Sequence, residues 1–536
     1  MHSSFNAYKH GSYLSQRIAG AIAITAAVFT ISCPALAQSS LTRSQVEGVI
    51  PAIEAYVEKT MNDRRVPGVA IGIVADDELV YAKGFGVRSI DSEAPIDADT
   101  VFQIGSTSKA FLATTEAMLV DEDKLAWDDR VIDHDPEFRL HDPWATREFR
   151  IDDLLAQRSG LPGWTLTDMM IYGYPPDDIT HALRYIRPVT SFRSTFSYQN
   201  AFHLVAQRIV ANLENAASWS DVLQTRILKP LGMDATSSTA EGYINTANRA
   251  FGHRLEENGA VIDPISVFPY NAVGAGGINS TVRDMGQWLR FHINKGQVNG
   301  QQLVSAEVLE QTYMPKVTAS GLFGKFLSLG EGEITSYASG WIVHSLPYGH
   351  IIDHAGGTTS FNSYVAFDPD RQFGIVVLTN ALDATNDNGI AIPLGKYIID
   401  RLLDRPEVDH AAQPFDIHQE APEHPETAIA PRPLEQYAGR YHSPTLGTVD
   451  IAINADNKLS FELGPHHLPV VLEPWSSDIF TAKITLPIVG SESGAPMRDT
   501  ARVHFRLDDT GQITRLDWDS RGAPGQPPFT RVEAGQ

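Results

Sequence analysis

The sequence predicts an α/β (α+β) domain, an antiparallel sheet flanked by helices and interrupted by a helical insertion, followed by a small C-terminal β-barrel. Three observations carry this expectation. Apolar runs of strand character stand at both ends of residues 45–404, with a mostly helical pattern between them. A proline-rich stretch then breaks the pattern. Beyond it, short alternating strands follow one another closely.

The first 37 residues stand apart from this fold. Lys9 and Arg17 precede the apolar run 18–31, and Ala35-Leu36-Ala37 offers a small-x-small cleavage site, so a secretory signal cut after Ala37 is expected. A membrane anchor is the alternative, although the run is short for a span. Cys33 is the only cysteine of the 536 residues and would leave with the signal. The mature chain would then have no disulfide, no thiol nucleophile and no Cys-ligated zinc site. The expected location is the bacterial periplasm or the medium, with no membrane insertion after cleavage.

Residues 38–404 form the larger domain. Residues 44–61 read as an amphipathic helix, and the runs 69–74 and 79–85, split by Asp76-Asp77-Glu78, as a β-hairpin. From 106 to 294 helices and loops dominate, punctuated at Gly160-Leu161-Pro162-Gly163 and Pro175-Pro176. Strands return at 341–343, 348–354, 363–367 and 374–378, and 389–403 closes the domain as a helix. Residues 405–433, with repeated prolines among acids and histidines, read as a linker. Its His410, His418 and His424 alternate with glutamates; a metal site is conceivable there, but the spacing matches no known ligand pattern. Residues 434–536 form the barrel, with strands such as 448–453 and 458–463 and turns at Asn457 and Asp519.

The chain is 43% apolar and 20% charged, the balance of a globular protein. Its net charge of −23 argues against binding nucleic acid or anionic lipid.

One charge is out of place. After Gly105, the stretch Ser106-Thr107-Ser108-Lys109 opens a helix of small and apolar residues that carries only Lys109 and Glu116 as charges. A cation is disfavoured at a helix N-terminus, and burying one is costly unless it is paired or loses its proton. A helix starting at or just before Ser106 puts both residues on one face, so a desolvated Lys109 can take the Ser106 proton, and the helix N-terminus suits a developing oxyanion. Two further segments fit this chemistry. Tyr198-Gln199-Asn200 precedes a helical run, where Tyr198 can relay a proton and Asn200 can hold a substrate carbonyl. Asp353-His354-Ala355-Gly356-Gly357 ends a strand, with glycines that permit close backbone approach and a Gly357 N–H beside that of Ser106. Each segment alone also reads as ordinary structure: solvated helix, a Tyr-Asn turn, a glycine turn.

Together and in this order, Ser-x-x-Lys, Tyr-x-Asn and His-x-Gly resemble the serine β-lactamase and penicillin-recognising peptidase family, in its class C-like branch. Arg158-Ser159-Gly160-Leu161-Pro162, Pro230-Leu231-Gly232-Met233 and Leu378-Thr379-Asn380 match as well, over about residues 45 to 404. Tyr437-Ala438-Gly439-Arg440-Tyr441 is similar to the lipocalin-like barrel that follows such domains. The resemblance implies Ser106 as nucleophile, Lys109 as base, the Ser106 and Gly357 amides as oxyanion hole, and Tyr198, its pKa lowered by Lys109, as proton relay. His354 would orient Tyr198 or meet a substrate carboxylate, with Asn200 and Gly356 contacting substrate. Separately, the segment 164–187 is expected to border the cleft, where Tyr172 and Tyr174 either contact substrate or simply pack. No metal or organic cofactor is implied. His354 stands where class C β-lactamases carry lysine, which shifts the expected substrate toward a small peptide or amide: D-amino-acid-containing peptides or linearised cyclic ones. A carboxylesterase, a weak β-lactamase and a non-catalytic cell-wall sensor are the alternatives. Homo-oligomerisation is left open, and Arg158, where relatives have threonine, has no assigned role.

Overall fold

The computed structural model describes residues 39–532 except 257–258, 266, 322–323, 325–326, 331, 348, 383–388, 413–424, 426, 490–497 and 521–524. The expected signal segment, His418 and His424 lie outside the described residues. Helix α1 (Arg43–Arg64) opens the fold. The Thr42 hydroxyl accepts the Gln45 N–H while the Gln45 side chain accepts the Thr42 N–H, a reciprocal cap.

A nine-stranded antiparallel sheet follows. Its strands are β1 (Gly68–Ala75), β2 (Glu78–Ser89), β3 (Ser92–Pro95), β4 (Val317–Thr318), β5 (Ile334–Tyr337), β6 (Ile342–Leu346), β7 (Gly349–Gly357), β8 (Asn362–Asp368) and β9 (Phe373–Thr379), in the spatial order β4-β5-β6-β7-β8-β9-β1-β2-β3. Pairing of β1 with β9, Val69 opposite Thr379, joins the two ends of the domain, as the strand runs at both ends predict. Alternation along β1 explains why all its residues are apolar or glycine. Val69, Ile71 and Ile73 face α1 and the closing helix Ala391–Leu402, against Ile53, Val57 and Ile398. Ala70 and Val74 face the other way, into the core built by the insertion, with Trp288 and Leu289.

The insertion between β3 and β4 carries α2 (Lys109–Asp121), α3 (Ala201–Leu213) and α4 (Val282–Ile293). Phe111 of α2 stacks on Trp288 of α4 at 3.8 Å, which fixes α2 against the sheet. Glu116, two turns after Lys109, is buried with both carboxylate oxygens unpartnered, and burial holds its carboxyl well above the usual range. Arg158 ties this region together: it donates to Asp153 and Asp152, each at 2.9 Å, and to the Lys316 carbonyl that precedes β4.

Two expectations change here. Residues 405–412, placed in the linker by composition, pack onto the domain: Asp409 accepts from Tyr56 and Lys59, and His410 sits 2.7 Å from Asp400. His410 is therefore a hydrogen-bond partner of Asp400 in the closing helix. Asp519 is no turn residue but lies in a strand opposite Arg502, because the alternation of apolar and polar positions runs on through Trp518. Asn457 is at a turn, with φ 57°.

The barrel closes on itself through eight strands: β10 (Gly439–Ser443), β11 (Gly447–Ile453), β12 (Leu459–Leu463), β13 (Leu468–Ser476), β14 (Ile479–Ile484), β15 (Arg498–Leu507), β16 (Ile513–Ser520) and β17 (Phe529–Arg531). Tyr437, Phe480 and Phe505 pack edge-on in its interior, and Trp518 packs with Phe461 and Phe529. Among the described residues, no helix is long and apolar enough to cross a membrane.

Candidate active site

Ser106 lies in a 3-10 turn, Gly105–Ser108, that leads directly into α2 at Lys109. The turn is tighter than the regular α-helix the spacing suggests, yet the two side chains still meet. Gly105 adopts φ 53°, a left-handed conformation that favours glycine, and an added Cβ there would come within 2.7 Å of the Gly357 nitrogen. A Cβ on Gly356 would lie 2.0 Å from the Ile104 oxygen and 3.0 Å from the Ser106 nitrogen. The glycines thus let the nucleophile turn and the end of β7 press together, which gathers the Ser106 and Gly357 amides in one place. Gly356 serves this backbone approach as well as lining the pocket.

The Lys109 amine lies 2.9 Å from Ser106 Oγ and 2.6 Å from the Ala275 carbonyl, with no solvent exposure. No carboxylate is paired with it in these contacts, and burial pushes its pKa well below the ordinary lysine value. A neutral amine has one lone pair; with an N–H held by Ala275, that lone pair is free to face the serine hydroxyl. The misplaced charge is an amine whose pKa burial pulls toward the range of a working base.

Tyr198 is carried by a loop that other segments grip. Its carbonyl accepts the Trp164 N–H at 2.7 Å, and the Ser197 hydroxyl donates to the Leu161 carbonyl at 2.6 Å. The Gln157 amide brackets the backbone of Gln199, accepting its N–H and donating to its carbonyl. Gln157 itself is left-handed, φ 57°, as are Trp164 and Leu166, so the loops around Tyr198 hold local strain. The Lys109 amine sits 4.9 Å from the centre of the Tyr198 ring. Burial pushes the phenol up, partly offset by a hydrogen bond with the Ser106 side chain. This corrects the expectation that Lys109 lowers the Tyr198 pKa: burial of the ring dominates, and Tyr198 stays a phenol.

His354 is fully buried, and its pKa falls to about 3, first through burial and then through the nearby Lys109. Nδ1–H donates to the Ala355 carbonyl at 2.6 Å, so Nε2 accepts from the Tyr337 hydroxyl at 2.9 Å. The imidazole carries no charge for a carboxylate, but its ring packs against that of Tyr198 at 6.3 Å. Tyr337, which donates to it, stands edge-on to the Tyr198 ring at 6.2 Å. Asn200 donates weakly to Thr167, and its Oδ1 is buried without a partner; the Thr358 hydroxyl is in the same state.

These groups line a pocket of about 280 Å³ with Ser106, Tyr198, Asn200, His354 and Gly357 on its polar side and Trp164, Ile171, Phe268, Leu327, Ile342 and Leu382 on its walls. Tyr172 and Tyr174 are not among the lining residues. Both are buried and turned toward the barrel: Tyr172 meets Trp518 edge-on, and the Tyr174 hydroxyl donates to the Leu446 carbonyl at 2.8 Å. Thr167 and Ile171, one helical turn apart, take the pocket face of that segment and leave the adjacent face to Tyr172. Residues not foreseen are Gln157, Ala275, Tyr337 and the buried His203, whose imidazole is pushed down by burial and by Lys109 and His354 nearby. For Ala275 and Tyr337 no local pattern points to the site; Gln157, one residue before Arg158, adjoins a motif that does.

Comparisons with known proteins agree with this fold. The sequence profile of the Beta-lactamase family matches residues 53–395, and a profile described as a domain of unknown function, DUF3471, matches residues 423–531. The unguisins hydrolase of Aspergillus campestris is 25% identical over 507 residues, covering 86% of this chain and 88% of that protein. Protein flp of Staphylococcus aureus is 26% identical over 61% of this chain and 62% of its own length. The octameric penicillin-binding protein homologue from Pyrococcus abyssi shares the fold with a TM-score of 0.58, at 21% identity, over 90% of this chain and 99% of that one. The fold and site define a serine hydrolase. The chain belongs to the Beta-lactamase family.

Proposed function

We propose that the chain is an exported serine peptidase or amidase that forms an acyl-enzyme on Ser106 and acts on small or D-amino-acid-containing peptides, linearised cyclic peptides among them. The observation that carries this reading is the fully buried Lys109 amine, its pKa lowered by burial, 2.9 Å from a hydroxyl at the polar end of an apolar pocket. Ser106 Oγ attacks the carbonyl carbon and its proton passes to Lys109, while the Ser106 and Gly357 N–H groups stabilise the oxyanion. As the C–N bond breaks, the proton moves from Lys109 through the Tyr198 phenol to the leaving amine. Water then adds by the reverse relay and releases the acid, restoring Ser106. The unpartnered Asn200 Oδ1 favours an amide over an ester, because an amide N–H would satisfy it. The named hydrolase relative spans most of the chain, barrel included, which supports a hydrolytic role for both parts together.

The test is turnover of linear peptides containing D-residues, linearised microcystin, a p-nitrophenyl ester and a β-lactam by the full chain and by Ser106→Ala. The variant is expected to keep its circular dichroism spectrum and lose at least about 10⁴-fold in kcat. An unimpaired Ser106→Ala would end the reading, and acylation without turnover of any substrate would favour the sensor. Export predicts a mature protein beginning at Gln38, read by N-terminal sequencing of the periplasmic fraction. Self-association, taken from the octameric homologue only as a possibility to measure, is read by light scattering.

A further inference from the structure

The pocket wall and the barrel are connected residue by residue. In the five-residue helix Thr167–Ile171, Thr167 and Ile171 line the pocket while Asp168 and Tyr172 face the barrel. The Gln526 amide donates to Asp168 Oδ1 at 2.6 Å, and the Tyr172 ring meets Trp518 at 6.4 Å. His466 Nε2–H donates to the Gly173 carbonyl at 3.1 Å. Gly173 is left-handed, φ 78°, and a Cβ there would lie 2.6 Å from the His466 ring, so this approach needs glycine. A second wall segment is clasped in strand fashion: Val489 N–H donates to the Ile265 carbonyl at 2.8 Å and Val267 N–H to the Pro487 carbonyl at 3.2 Å. Phe268, the next residue, lines the pocket.

A helix of five residues cannot hold its own geometry. This one also starts from a left-handed Leu166 without a side-chain cap, two residues after the left-handed Trp164. Strained backbone persists only where its surroundings over-determine it. Here the barrel supplies that surrounding.

We propose that the C-terminal barrel, whose family model is described as a domain of unknown function, is a specificity-determining support of the substrate site. It holds the wall of Trp164, Ile171 and Phe268 from behind and so sets which acyl group reaches Ser106. Gln526, His466 and Trp518 are positioning residues, acting through that wall. The inference rests on the acyl-enzyme reading above and adds to it the selector of the acyl group.

The test uses the full chain carrying His466→Ala and Gln526→Ala together, assayed with p-nitrophenyl acetate and p-nitrophenyl 4-phenylbutyrate, a small and a bulky apolar acyl donor. The ratio of kcat/KM for phenylbutyrate over acetate is expected to fall about tenfold, through KM for the bulky ester. Should the double variant melt early, Tyr174→Phe removes a single hydrogen bond to the barrel and is expected to shift the ratio the same way, by about threefold. An unchanged ratio in a folded variant, or an equal loss on both esters, overturns the proposal. Ser106→Ala is assayed in parallel: if it still hydrolyses the esters, the acyl-enzyme reading fails, whereas an inactive Ser106→Ala beside an unchanged ratio sinks the barrel's role alone.

Discussion

Two buried histidines, ten residues apart on neighbouring strands, are pushed to opposite charge states, one cationic and one neutral. His344 on β6 lies between Glu333 and Asp353 at 2.9 and 3.0 Å, and those carboxylates outweigh burial and raise its pKa to about 9. His354 on β7 meets only a carbonyl and a phenol, and burial takes it down to about 3. Asp353 and His354 are adjacent in sequence but point to opposite faces of the sheet. On one face an imidazolium is locked between acids, joined by Tyr364 donating to Asp353 at 2.5 Å and by the partly buried Lys396, whose pKa drops to about 8. On the other, burial lowers the pKa of both His354 and Lys109 beside Ser106. Equal burial thus gives a structural cation on one face and a neutral imidazole on the other, and the presence of a carboxylate decides which.

The contrast can be broken in order of expected effect. Lys109→Met removes the base but keeps the shape, so kcat/KM should fall by at least about 10³-fold while the melting temperature holds or rises. Hydrolysis assays paired with calorimetry decide it, and a stable, active variant would refute the neutral-base assignment. Asp353→Asn leaves His344 with one acid and exposes its charge to the low-dielectric sheet, at a cost of about 3–5 kcal/mol in urea unfolding.

Stability against pH separates the two histidines by sign. The His344 contribution is complete below its ordinary 6.5 and is lost as pH rises through about 9. His354 works the other way: its unfolded form binds protons first, so stability falls as pH drops from 6.5 toward 3. Unfolding free energies measured across pH should show His344→Gln flattening the alkaline limb. His354→Gln should flatten only part of the acid limb, because the buried His292, also near 3, contributes there too. The smallest effect belongs to Tyr337→Phe, which takes the hydroxyl from His354 Nε2 and should lower kcat by about fivefold. A pH–rate profile identical to the unaltered protein's, with kcat unchanged, would remove Tyr337 from the relay.

Ser106, Lys109, Tyr198 and His354, which the structure brings together, sit in three short motifs that are ordinary singly and point to one site only in combination. Tyr337 and Ala275 were not, since they reach the site through strand pairing and helix packing far along the chain. Tyr172 and Tyr174 were misplaced for a finer reason. Position in a segment near the cleft was read correctly, but which face of a five-residue helix looks inward depends on what packs behind it, and the barrel does.

The sequence by itself determined the two-part architecture, the sheet shared between both ends of the larger domain, and the serine–lysine pair. These follow from periodicity and from residues within one turn of each other. Tertiary structure alone decided the charge states and the pocket wall. A lysine becomes a base only when burial and a carbonyl such as that of Ala275 remove its counter-charges, and a short helix becomes a wall only when a second domain holds it.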